Sequence, residues 1–305
     1  MPIPSNTFAD PWPPLPYADF AATQYFLQMG LQAIGKLKLQ EPFQPQWAGV
    51  VLCVNAQGLT TGPIPYAGGA YEVRVDLISH KVECITSAGF AGNFKLASMS
   101  VAEFVASLFD LLHAAGVDVS INLNPQEVSN PIPFNQDKEP RAYELAWVNH
   151  WWRILLSTQR VLQTFQGRFL AKTQPIGLMW GTMDIRCTLY NGKPASPGAN
   201  ADYIRRNAMN AELIEMGWWS GTAAYPHAAF YSFTHPQPAG IENARISPPG
   251  SRWDSNQREF VFDYDDLRKS KNPDGDLLTF FQSAYEAGAK CAGWERSLMG
   301  TGKPI

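Results

Sequence analysis

The sequence has little charge and little cysteine. Of its 305 residues 17% are charged, and the formal net charge is -3. The 24 Lys and Arg residues are scattered along the chain. No basic patch forms to neutralise phosphates, so nucleic acid is not an expected partner. The four cysteines, Cys53, Cys84, Cys187 and Cys291, make no Cys-x-x-Cys pair and no zinc-spaced cluster with histidine. Four buried, reduced thiols are expected, with Cys53 filling core inside the apolar run Val50 to Val54. No stretch approaches the roughly 20 apolar residues that cross a bilayer, and the first residues carry neither the cationic start nor the apolar run of a leader peptide. The expectation is a soluble, cytoplasmic chain with no membrane partner.

Standard catalytic signatures are missing too: no Gly-x-Ser-x-Gly elbow, no His-Glu-x-x-His, no phosphate loop and no Gly-x-Gly-x-x-Gly after a strand. Neither a metal nor a cofactor is therefore expected. What the chain does have is 45% hydrophobic residues, 12% aromatics, 24 glycines and 24 prolines. That composition can bury a large core and punctuate it with rigid turns.

Residues 1–19 form a Pro-rich segment ahead of a globular domain spanning 20–305. Apolar spacing predicts a helix over 20–37, broken by Pro42 and Pro45, and the apolar run 47–54 predicts a strand. A Gly/Pro-rich structured loop follows over 58–69. Tyr71, Val73, Val75 and Leu77 then alternate with polar residues, and Ser79-His80-Lys81 turns them into a second strand at 82–86. Ser100 and Glu103 form a capping box for a helix reaching Ala115, with Gly116 as its stop. A short strand at 117–123 and a loop over 124–140 come next. The second half predicts a helix over 143–170, a strand over 176–190 with Asn191-Gly192 as its turn, and a helix over 202–216 ended by Gly217. Strands at 228–234 and 259–264, a loop over 236–249 and a helix at 277–292 complete it. The two halves, 20–123 and 141–296, echo one another as pseudo-repeats. The expected fold is α+β, one antiparallel sheet covered by helices.

Three aromatic segments carry polar groups suited to a site. In the first, rigid turns hold Thr60, Thr61 and Tyr66, with a purely structural loop as the plainer reading. In the second, a strand period of two puts Trp180, Thr182 and Asp184 on one face. An acid beside Trp holds its proton unless an arginine, Arg186 or Arg74, pairs with it. In the third, His227 and His235 flank the strand carrying Phe230 and Tyr231. His80, at its hairpin turn, is a further candidate base.

These segments, with Pro131-Ile132-Pro133-Phe134, Tyr264-Asp265-Asp266, Tyr285-Glu286 and Gly293-Trp294, give the chain its likeness to a known family. It resembles the domain-of-unknown-function family numbered 5996, uncharacterised proteins of bacteria and fungi. The resemblance covers nearly the whole chain and implies one related fold and no activity. It also implies His-Trp-Trp-His just before the first strand and a His shortly before the Trp-Gly pair. This divergent chain reads Gln46-Trp47-Ala48-Gly49 and Gly177 there. If those histidines hold a metal or move a proton in the family, this chain is repurposed or inactive.

Two functions remain open. One is an enzyme, or a former enzyme, enclosing a small organic molecule in an aromatic-rich pocket. There His80, Asp184 and Tyr231 transfer protons, and Thr60, Thr61, Tyr66, Trp180, His227 and Phe230 bind the ligand. The other is a non-catalytic binding or interaction protein, which needs the aromatics but no perturbed acid or base.

Overall fold

A computed structural model describes residues 10–300; residues 1–9 of the Pro-rich segment lie outside the described residues. Helix α1 (Tyr17–Leu37) follows Pro16 and is buried along most of its second half. Its two glycines are places of close approach. A Cβ on Gly30 would sit 3.0 Å from the Phe104 ring, and one on Gly35 only 2.2 Å from the Trp180 ring. Beyond α1 the expected strand over 47–54 is largely absent, because Pro45–Trp47 is a single 3-10 turn. Gln46 and Trp47 both take left-handed backbone angles, with φ of 56° and 60°, which a strand cannot accommodate.

Strand β1 (Cys53–Asn55) keeps only the end of that run, and its alternation turns Cys53 outward. Cys291 is exposed as well, so two of the four expected buried thiols face solvent. The expected loop contains two short strands, β2 (Gly58–Thr60) and β3 (Ile64–Tyr66). With β4 (Gly69–Asp76), β5 (Lys81–Thr86) and β6 (Ala91–Lys95) they make an antiparallel sheet ordered β1-β2-β4-β5-β6, with β3 also paired to β4. Helix α2 (Val101–Ala114) has its capping box, Glu103 N–H donating to Ser100 Oγ at 3.1 Å and Ser100 N–H to Glu103 Oε2 at 2.8 Å. The segment 117–123 forms no strand.

The second half opens with α3 (Leu145–Gln166), whose Trp151, Trp152, Leu155, Leu162 and Phe165 are buried. The expected strand over 176–190 is two strands, β7 (Gly177–Met179) and β8 (Asp184–Pro194), separated by a turn in which Met183 has φ of 60°. Strand periodicity therefore does not place Trp180, Thr182 and Asp184 on one face. Asn191 and Gly192 lie inside β8, at a register shift against the next strand, rather than at its end.

The expected helix over 202–216 fails after six residues. Helix α4 (Tyr203–Ala208), capped by Asp202, gives way to strand β9 (Ala211–Trp219), with Gly217 in its interior. A run of Leu213, Ile214, Met216 and Trp218 fits either element by periodicity, and tertiary pairing between two strands decides it. Strands β10 (Ala229–His235), β11 (Arg252–Asp254) and β12 (Glu259–Asp263) follow, then helices α5 (Tyr264–Arg268) and α6 (Pro273–Cys291). The second sheet runs β11-β12-β10-β9-β8-β7, antiparallel throughout.

The fold is thus α+β with two six-stranded antiparallel sheets rather than one. Leu52 and Leu178 exchange backbone hydrogen bonds of 3.0 and 2.8 Å, a single antiparallel bridge between the two edges. Among the described residues no helix is long and apolar enough to cross a membrane.

The faces of the second sheet differ. Helices α3 and α6 cover the face formed by Cys187, Ile214, Trp218, Phe230 and Thr234: Gln166 reaches Cys187, Gly288 lies over Thr234 and Ile214, and Phe281 packs on Phe230. Each large apolar side chain buried there contributes roughly 1.5–3 kcal/mol. The chain ahead of α1 is strapped onto this side. Trp12 is buried against Phe230 and Tyr264, its Nε1–H donates to Asp274 at 3.0 Å, and Tyr264 O–H donates to the Pro13 carbonyl at 2.7 Å.

Candidate functional site

The opposite face of the second sheet is polar. Strand register lays it out in rows: Asp184 opposite Trp219, Arg186 opposite Gly217 and Gly217 opposite Tyr231, Thr188 opposite Glu215. Glu259 lies on this face two residues from Val261, which pairs with Tyr231. Asp184, Arg186, Glu215, Thr188 and Tyr231 are all buried there.

Gly217 makes the arrangement possible. A Cβ at that position would lie 2.9 Å from the Tyr231 hydroxyl and ring edge, and 2.1 Å from the Ile185 carbonyl. With no side chain in the way, the Tyr231 ring crosses the strand and its O–H donates to Asp184 Oδ2 at 2.5 Å, lying 3.4 Å from Glu215 Oε1. Thr182 O–H donates to Asp184 Oδ1. Arg186 is engaged elsewhere: Nη1 pairs with Glu215, and Nη2 donates to Gln174 Oε1 at 3.1 Å. Thr188 O–H also donates to Glu215, at 2.7 Å. Arg74 is likewise taken, by Glu72 at 2.8 Å. The arginines expected to neutralise Asp184 are thus paired to other carboxylates.

Electrostatics follow from this layout. Burial, with the Glu215 charge beside it, pushes the Asp184 carboxyl above its ordinary range, and the Thr182 and Tyr231 hydroxyls and Arg186 offset only part of that. Burial and the neighbouring Asp184 and Glu215 raise Glu259 to about 8. Tyr231 is held firmly in its phenol form by burial and Asp184. Burial opposes the Arg186 charge, but Glu215 and Asp184 more than restore it. Buried carboxyls that hold their protons to higher pH than usual, as Asp184 and Glu259 do, can give and take them.

Beside this cluster lies a cavity of about 220 Å³, lined by Phe43, Trp47, Trp180 and Tyr203 with Glu127 and Gly181 at one side. The walls come from the left-handed 3-10 turn, the start of α4 and the turn between β7 and β8. The 3-10 turn also touches the cluster, because the Gln46 carbonyl accepts from Gln174 Nε2 at 2.7 Å. Gly177 pairs with Arg186 across β7 and β8. Two positions at which the chain departs from the pattern its resemblance implies therefore adjoin the cluster.

Of the residues singled out from sequence, the structure brings Asp184 and Tyr231 into direct contact and puts Trp180 in the adjacent cavity wall, its Nε1–H bonded to the Val50 carbonyl at 2.9 Å. The others lie elsewhere. Thr60 bonds Glu72 at 2.6 Å, Thr61 accepts from Val73 N–H at 3.0 Å, and Tyr66 packs on Tyr71, all within the first sheet. His80 sits 3.0 Å from the Tyr143 hydroxyl at the turn between β4 and β5, and burial lowers its pKa. His227 is exposed beside Tyr225. Phe230 points into the helix-covered core, one residue out of phase with Tyr231. Glu215, Glu259 and Glu127 had no signal of their own in the sequence; reading 211–219 as a strand would have put Glu215 and Gly217 on one face. Among the described residues no three His, Cys, Asp or Glu side chains are grouped to hold a metal ion.

A family model described as a family of unknown function (DUF5996) matches residues 12–301. No curated protein and no solved structure matches the chain.

Proposed function

Because the chain belongs to this family of unknown function, we propose its activity from the site alone: an enzyme that moves a proton on a small organic molecule held at the polar face of the second sheet. One observation carries the reading. Asp184 is a buried carboxyl whose direct hydrogen-bond partners are two hydroxyls, while the nearest arginine is committed to Glu215. Such a group holds its proton to higher pH than an ordinary carboxyl and can deliver it to a bound molecule or accept one back. Tyr231 fixes the carboxyl's orientation and the aromatic cavity beside Trp180 receives the organic part of the reactant. The reading calls on no cofactor.

The test begins with small organic compounds screened for stabilisation of the purified chain, followed by turnover of the hits by NMR. Asp184→Asn keeps size and polarity and removes the titration. Turnover should fall about 10²–10⁴-fold with ligand affinity retained. The infrared carboxylic-acid band of the wild type should lose the Asp184 component in the variant and keep that of Glu259. Full turnover in Asp184→Asn rejects the reading. Compounds that bind the wild type without being turned over would favour the second one, a non-catalytic binder, for which the exposed aromatic wall of the cavity is sufficient.

A further inference from the structure

The cavity beside the cluster has a chemical character of its own. Three of the exposed large hydrophobic side chains of the described surface line it: Leu39 at 45%, Phe43 at 55% and Tyr203 at 62% exposure. The aromatics among its walls meet edge to face, Phe43 with Trp47 at 5.0 Å and Trp47 with Tyr203 at 5.4 Å. Trp180 closes a further side. Aromatic rings left open to water around a hollow leave apolar area for an occupant to cover.

The charge lining the same hollow is one-sided. Lys38 is spent on Glu41 at 3.1 Å and on the Thr61 carbonyl at 2.6 Å. Glu127 is left with no hydrogen-bond or ion-pair partner among the described residues. Its backbone is held at φ of 55°, a costly conformation for a residue other than glycine. The carboxylate rests directly on Gly181, where a Cβ would lie 2.2 Å from Oε2. Burial first, and then Asp184, Asp202 and Glu215, raise the Glu127 carboxyl above its ordinary value against the pull of Arg186, a strain that a cation beside it would relieve.

We infer that this cavity binds an organic cation, a small molecule bearing an ammonium group that sits among Phe43, Trp47 and Tyr203 with Glu127 as its counter-ion. Ring faces attract a desolvated ammonium, and an unpaired carboxylate beside them supplies the neutralising charge. An anion would meet Glu127 and the acids behind it. A neutral molecule would leave that carboxylate unpaired. The assignment deepens the proton-transfer reading and rests on it only for the idea that the occupant is the reactant.

Calorimetric titration of the intact chain with choline, with its uncharged isostere carrying carbon in place of nitrogen, and with the matching carboxylate decides the matter. Choline should bind at least about tenfold more tightly than the isostere, and the carboxylate should not bind. Glu127→Gln, at a solvent-facing position, should cost choline about fivefold or more and leave the isostere unchanged. Gly181→Ala, which displaces the Glu127 carboxylate, should reproduce the loss. Equal or stronger binding of the isostere or the carboxylate overturns the assignment, as does choline binding indifferent to Glu127→Gln or absent at millimolar concentration. The two readings fail separately. Asp184→Asn should leave choline binding intact, so a lost ammonium preference with a surviving effect on turnover removes only the cation.

Discussion

Arg186 is the one cation in a group of buried acids, and its loss should be felt as stability. Arg186→Gln would leave Glu215 buried without its partner, at a cost of roughly 3–5 kcal/mol in chemical denaturation. Replacing Arg186 and Glu215 together with Met should restore most of that loss, because two absent charges need no solvation; a double variant as unstable as the single one would mean the pair is held by packing alone. Glu259 gives the cluster a pH signature. Its carboxyl titrates at about 8 in the fold against an ordinary value of 4.5. Between those values the folded chain holds a proton that the unfolded chain has released, so its contribution is present at low pH and is lost as pH rises toward 8. Glu259→Gln should therefore match the wild type near the bottom of that window. Above it the variant should be the more stable of the two, by about 1–2 kcal/mol after discounting for partial exposure. Melting curves at a series of pH values check this, and parallel curves would reject it.

Strand β9 decides whether the site exists. Gly217→Ala would press a methyl group into the Ile185 carbonyl and the Tyr231 ring. The expected loss is about 1–3 kcal/mol, from overpacking, and with Tyr231 displaced the infrared signature of Asp184 should shift. A variant with unchanged stability and spectrum would remove Gly217 from the account. This strand also marks what the sequence does and does not disclose. The α2 capping box, the alternation of β4 and the core faces of α3 and α6 are local signals, and the structure has them where local chemistry puts them. Leu213, Ile214, Met216 and Gly217 satisfy a helix with a glycine stop as well as a strand, and only pairing with β8 and β10 settles it. Glu215 and Gly217 were hidden by that ambiguity. The meeting of Asp184 with Thr182 came through a different route from the strand period expected to join them. A left-handed residue at Met183 breaks the strand, and the turn brings Thr182 back onto the carboxylate. The first sheet drew attention through Thr60, Thr61 and His80 because turn-rich segments resemble sites, yet their polar groups are satisfied by their own strands and neighbouring tyrosine.

At the scale of the molecule, the two sheets touch through one backbone bridge, and the Trp180 ring seats on Gly35 of α1. The cavity is thus bounded by chain from both halves, with Trp180 as one of its walls. The strap ahead of α1 has a consequence in the order of synthesis. Trp12 and Pro13 leave the ribosome well before Tyr264, Arg268 and Asp274, which receive them and emerge after some 250 further residues. Translation at about 5–20 residues per second keeps that indole without its seat for about 12–50 seconds. During that interval this apolar anchor is available to chaperones and to wrong partners, and its docking must wait for the helices that receive it.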